Sequence, residues 1–348
     1  MQQDKRERLQ AFDMAKGFAI VLVVYGHGLR GLVEAHAIGP MSPLLVSDYI
    51  IYTFHMPIFF FMSGWLFHSA GKLAYPFWRS RMLTIAYPYL VWSLLQAGVQ
   101  MALAGSGLVN STIPVARVLA IGWSPILIFW FLYALFFCNI LAFYLYRVRP
   151  EILVVGGLLM FAIAAWLHAE VFGDIGYGFL YFALGLLARS RGWVERLPRT
   201  GGPAALLVLM FLAVAFTCHA VGVPERWPFP AALLGIAATL SCCFVIEDRA
   251  PRNVVTRLLA TFGCYSMGIF VMHALMLGFV RAVMLHVLHV TNPALILPAA
   301  VVTGVLLPIS VQAVLVRVGL NNWAGLPFSA AQRRRDVARP IVLLRDTA

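Results

Sequence analysis

Charge is scarce in this chain. Only 11% of its 348 residues are Asp, Glu, Lys or Arg, while 61% are hydrophobic and mean hydropathy is +0.85. A soluble domain carries about a quarter charged residues, and a single core of this size cannot hide so much apolar surface. That excludes a soluble enzyme, a disordered segment and a nucleic-acid module. Acidic residues are scarcer still, 14 against 26 Lys and Arg, for a net charge of +12. A basic excess signals nucleic acid only when it lies on one polar domain, whereas here it is split into short clusters between long apolar runs. Cysteine is sparse as well. Cys138, Cys218, Cys242, Cys243 and Cys264 all sit inside apolar runs, with no CxxC or Cys/His spacing, and read as small buried hydrophobes. No HExxH, GxSxG or P-loop pattern occurs, so no metal is expected. A cleavable leader is not expected either, since no small-residue cleavage pattern follows the first apolar run. No repeat of fixed period is present.

What is present is a series of apolar runs long enough to cross a bilayer as helices. The fold class expected is all-α, a polytopic membrane bundle of ten transmembrane helices at roughly 15–33, 49–68, 81–103, 125–146, 151–168, 175–190, 203–221, 229–247, 260–286 and 294–317. With the N-terminus inside, alternation puts all but Arg30, Arg117, Arg226 and Arg281 of the 26 basic residues on the inner side. The outer connections instead carry Glu34, Asp48, Glu170, Asp174 and Glu225. A missed span would scramble this asymmetry, so both termini are expected in the cytoplasm. The expected organisation is a cytoplasmic segment 1–14, a membrane domain 15–317 and a basic cytoplasmic tail 318–348 whose Arg333 to Arg335 suit anionic lipid.

Ionisable groups inside spans are costly and mark function or a buried partner. In the first span, QAFDMAKGFAIVLVVYGH, about 100° per residue places Lys16 at about −60° and His27 at about −40° from Asp13, on one face. A rise of about 1.5 Å per residue puts His27 about 16 Å beyond Lys16. Two readings stand: an acid and a base at the inner mouth with a working imidazole deep in the bilayer, or an Asp/Lys topology pair and a hydrogen-bonded core histidine. The second span, YIIYTFHMPIFFFMSGWLFH, holds His55 before Pro57, which loosens the helix and frees a carbonyl for the imidazole. His55 fits a Pro-kink packing role or a place at the depth of His27. Phe59 to Phe61 read as lipid-facing or core. Arg79 and Arg81 flank the inner surface beside Trp78, as positive-inside charge or as a phosphate grip. Trp130 and Tyr133 suit an aromatic belt at the outer interface. In the ninth span Ser266 and His273 are two turns apart and share a face. Three intramembrane histidines on three helices are explained most economically by one shared polar chamber.

These residues resemble the motifs of the membrane acyltransferase 3 family, the ten-helix bacterial O-acyltransferases of surface polysaccharides, and most of all its stand-alone fucose 4-O-acetylase-like and exopolysaccharide acetyltransferase-like members. Asp13, Lys16 and His27 match the opening acid, base and histidine pattern; Phe54 to Gly64 match FHMPxFFFxSG. Arg79-Ser80-Arg81 before Pro88-Tyr89 resemble the basic motif, often Arg-x-x-Arg in relatives. Trp130 to Leu135 match WFLxAL, Tyr181 to Arg191 match a span ending in glycine, leucine and basic residues, and Ser266, Ile269 and His273 match S-x-x-I-x-x-x-H. Many members carry a fused periplasmic hydrolase-like domain, to which no stretch of these residues corresponds.

The resemblance implies transfer of an acyl group, most often acetyl, from cytoplasmic acyl-CoA (acetyl-CoA) to a sugar hydroxyl of a lipid-linked or exported glycan, in the bacterial inner membrane. Glycan or glycolipid acceptor, membrane lipids and other polysaccharide-biosynthesis proteins are then the partners, and nucleic acid is not. Lys16, Arg79 and Arg81 would take the donor's phosphates, with Asp13 holding Lys16. His27 would act as general base or acyl carrier. His55 and His273 would orient it, the acceptor hydroxyl or an oxyanion, with Ser266 in support. A glycolipid transporter or flippase also suits ten spans with polar groups at depth, although the repeated halves common in transporters are missing. Acylation of a lipid, macrolide or peptidoglycan sugar is a third possibility.

Overall fold

In a computed structural model, residues 2–39, 42–68, 74–106, 108, 109, 112–251 and 253–326 are described. The basic tail at Arg333 to Arg335 lies outside them. Fourteen α-helices form among the described residues: α1 (Gln2–Glu34), α2 (Leu44–Tyr52), α3 (His55–Leu66), α4 (Ala74–Arg81), α5 (Tyr87–Ala102), α6 (Val115–Leu119), α7 (Trp130–Tyr144), α8 (Pro150–Trp166), α9 (Glu170–Ser190), α10 (Gly201–Ala220), α11 (Phe229–Arg249), α12 (Val254–Cys264), α13 (Ser266–Ala282) and α14 (Pro293–Arg317). No strand forms among the described residues. Helices are what the bilayer dictates, because each satisfies its own backbone polar groups where water is missing.

Nine helical segments of the described residues are long and apolar enough to cross a membrane. The apolar α8, at 17 residues, reaches the lower limit for a tenth. This is an all-α, polytopic membrane bundle. Its details depart from the expected spans in three places. The sixth span, expected at 175–190, is longer: α9 runs the 21 residues Glu170–Ser190, and α8 is the short one. The second span is broken at Thr53 and Phe54 into α2 and α3, just before Pro57, whose ring lacks the N–H that would continue the ladder. The ninth span, expected at 260–286, divides at Tyr265. Its first part, α12, packs across α1, and the crossing is α13 continued by a π-turn at Val283–Val287.

Glycines explain the close crossings. A Cβ on Gly17 would overlap the Leu259 carbonyl, and one on Gly263 the Asp13 carbonyl, so α12 meets α1 backbone to backbone. The α3–α9 contact is built the same way, with Gly64 against the Phe182 carbonyl and Gly185 against the Phe61 carbonyl. Small residues permit such approach in lipid, where helices gain little from the hydrophobic effect and rely on packing. Phe60 and Phe61 are buried in this core, and Phe59 packs against it. The central helix is α1, in contact with α2, α3, α11, α12, α13 and α14. Whatever projects from it toward α3 and α13 is therefore enclosed by protein.

Candidate functional site

Two polar groups, one near each end of α1, organise the interior. Toward the N-terminal end the Lys16 ammonium donates to Asp13 Oδ1 at 2.8 Å. Asp13 Oδ2 accepts from the Cys264 thiol at 3.8 Å, which ties the pair to the end of α12. The spacing of three residues puts both side chains on one face. Lys16 keeps 27% of its side chain exposed, so its charge still reaches the surface. Ser266, half-buried, begins α13 two residues beyond Cys264.

About 16 Å further along α1 stands His27. Its ring lies 5.2 Å from that of His273 on α13, tilted by 47°. Tyr52, at the end of α2, has its ring 6.3 Å from His27 and 4.5 Å from His55. The structure thus brings α1, α2, α3 and α13 to one cluster of rings, with Tyr52 between His27 and His55. His55 is 1% and His273 0% exposed, whereas His27 is only partly buried. Of the three, His27 is the one that is not fully buried.

The hydrogen bonds fix how these rings present themselves. His55 Nδ1 donates to the Ile51 carbonyl at 2.8 Å, across the break between α2 and α3. His273 Nδ1 donates to the Phe270 carbonyl at 2.7 Å and the Ile269 carbonyl at 3.1 Å. A carbonyl can only accept, so Nδ1 holds the proton and the Nε2 of each neutral ring carries a lone pair. His273 Nε2 is buried and has no partner among the described residues. Neither ring nitrogen of His27 makes a hydrogen bond within the described structure. An unpartnered imidazole at such depth is costly, and its exposure lets a ligand or water supply the partner. Among the described residues no three metal-ligating side chains converge.

Arg79 and Arg81 sit apart from this cluster, on the last turn of α4. Arg79 is exposed. The Arg81 guanidinium lies 5.8 Å over the Phe77 ring, and its buried Nε has no partner among the described residues. A π-turn at Met82–Ala86 follows directly. Such turns re-aim the side chains around them and are frequent at functional sites.

Beyond His27 along α1 the cluster meets residues that sequence reasoning counted only as topology charge. Arg30, one turn beyond His27, donates to Asp48 Oδ2 at 2.9 Å and Glu225 Oε2 at 2.7 Å. Its guanidinium lies 3.3 Å over the Tyr52 ring. Tyr49 donates to the Val223 carbonyl, and Arg226 pairs with Asp174 at 2.6 Å while lying 4.9 Å over Trp130. The 223–226 loop is thereby clipped to α1, α2 and α9. Trp130, expected in an aromatic belt, lies under the Arg226 guanidinium. The one sequence signal for Arg30 was its spacing of three from His27, which places it on the same face.

A family model described as an acyltransferase domain matches residues 9–313. Comparison with curated proteins and with solved structures finds no significant match.

Proposed function

Because the chain belongs to the acyltransferase 3 family, whose membrane helices it shares, we propose that this multi-pass acyltransferase moves an acyl group, acetyl in the simplest case, from cytoplasmic acyl-CoA to a sugar hydroxyl of a lipid-linked or exported polysaccharide, in the inner membrane of a bacterium. The observation that carries this reading is the placement of His27. It shares a helix stripe with the Lys16–Asp13 pair at the inner mouth, yet touches His273 and Tyr52 deep in the bundle.

The donor's phosphates are held at the inner face by Lys16, Arg79 and Arg81, and its acylated arm extends along α1 to His27. There the acceptor hydroxyl attacks the thioester carbonyl and gives its proton to the unbonded His27 imidazole. A C–O bond forms, the C–S bond breaks, and the thiolate leaves with the proton that His27 took up. Imidazole suits this exchange because its ordinary pKa lies near neutrality. His273 Nε2, which has no partner among the described residues, accepts from the His27 ring or from the hydroxyl and so orients the base. Membrane lipids and other polysaccharide-biosynthesis proteins are the expected surroundings.

Purified protein in liposomes tests the reading. With acetyl-CoA and glycan acceptors it should release coenzyme A in proportion to new ester found by mass spectrometry. Surface glycans of cells with and without the gene product should differ by that ester. Absence of both would leave the chain an acyltransferase for another acceptor class.

A further inference from the structure

Three buried polar atoms around His27 lack a partner among the described residues: Asp48 Oδ1, the Tyr52 hydroxyl and His273 Nε2. Asp48 is 8% exposed and His273 0%. Burying such groups unsatisfied is costly, of the order of a lost hydrogen bond each, and several of them on side chains beside α1 near His27 point to an occupant. Gly26, the residue before His27, makes room for two of them. A Cβ there would stand 2.9 Å from the Tyr52 ring and 3.6 Å from Asp48 Oδ1. Asp48 and Tyr52 thus flank α1 next to the proposed base, on its outer side.

The chemistry of the orphans defines the occupant. A carboxylate oxygen accepts only; so does Nε2 of the His273 tautomer set by its Nδ1 bonds; and a phenol can donate or accept. Two acceptors and one bifunctional group suit a ligand rich in O–H donors. Charge narrows this further. Around Asp48 one guanidinium, Arg30, faces two carboxylates, Asp48 and Glu225, and the neighbouring Arg226 is matched by Asp174. The Arg30–Asp48–Glu225 cluster carries one uncompensated negative charge and disfavours anions. Arg30 is engaged by both carboxylates and the Tyr52 face, so it steadies Asp48.

From this geometry we infer that Asp48 and Tyr52 form the subsite holding the acceptor, an uncharged polyhydroxylated ring that approaches from the outer side, and that Arg30 and Glu225 are positioning residues for Asp48. The inference rests on the acyl-transfer reading above and assigns its acceptor side.

The test uses the full chain in liposomes loaded with acetyl-CoA, with a panel of methyl glycosides outside, including methyl glucoside and methyl glucuronide, which differ by one carboxylate. Tyr52→Phe removes the hydroxyl but keeps the ring under Arg30; Asp48→Asn removes the charge. Each should raise the KM for the glycoside about tenfold, the worth of one hydrogen bond, with the KM for acetyl-CoA unmoved. A purely structural role would not split the two constants. Methyl glucuronide should be the poorer acceptor. If Asp48→Asn does not insert, Tyr52→Phe decides. Wild-type glycoside KM in the correctly inserted Tyr52→Phe variant, or equal use of the glucuronide, overturns the assignment. A wild-type protein that releases no coenzyme A with any member of the panel overturns the sugar-acceptor reading, and this one with it.

Discussion

The rings of His27 and His273 lie 5.2 Å apart, although 246 positions separate them in the chain. His273 is fixed by two bonds to its own helix, and His27 by none. The ring without such bonds is the one proposed to carry the proton. His27→Gln keeps a polar side chain but cannot take a proton at neutral pH. Transfer should fall by the ~10²–10⁴-fold typical of lost general-base catalysis, with insertion and donor affinity retained. Coenzyme A release by the purified variant is the measurement, and a near wild-type rate would reassign the base to His55 or His273.

His273→Phe preserves the buried ring volume and deletes the Nε2 lone pair. The rate of the chemical step should drop about tenfold, corresponding to one hydrogen bond of about 1–1.5 kcal/mol. Thermal stability should change little, since the Ile269 and Phe270 carbonyls remain bonded within their helix. Single-turnover kinetics separates the two effects; an unchanged rate removes His273 from the reaction.

The inner cations make a different forecast. Substituting Arg79 and Arg81 with Gln removes two charge-assisted contacts worth about 1.5–3 kcal/mol each at most. The KM for acetyl-CoA should rise at least tenfold, with the glycoside KM constant and the orientation unaltered in a protease-accessibility assay. If donor affinity holds, the pair returns to marking topology.

Helix packing can be probed without touching the site. Gly64→Ala and Gly185→Ala each place a methyl against a backbone carbonyl of the partner helix. Backbone cannot rotate away as a side chain can, so each should cost about 1–3 kcal/mol and lower the Tm in detergent. Gly98, in α5, has nothing within 4 Å of a Cβ. Gly98→Ala should instead gain up to about 1 kcal/mol from helix propensity. Equal Tm shifts at the three positions would contradict the close α3–α9 crossing.

The sequence alone determined the class of this protein. Scarce charge, apolar runs near 20 residues and clustered Lys and Arg are properties of local composition, and a bilayer reads composition directly. Helical period likewise put Asp13, Lys16 and His27 on one stripe, because i to i+3 neighbours follow from helix geometry. The motif residues around His27, His55 and His273 were enough for a family resemblance. Tertiary structure decided what no single span contains. The break at Tyr265 depends on Gly263 meeting Asp13 across α1, and the length of α9 on its burial against α3 and α8. Above all, Arg30, Asp48 and Glu225 were legible only as outer charges. Their meaning lies in a three-way ion cluster, assembled from α1, α2 and a distant loop. Electrostatic pairing acts through a few ångströms of space and is indifferent to separation along the chain, so it leaves no period or spacing for the sequence to display.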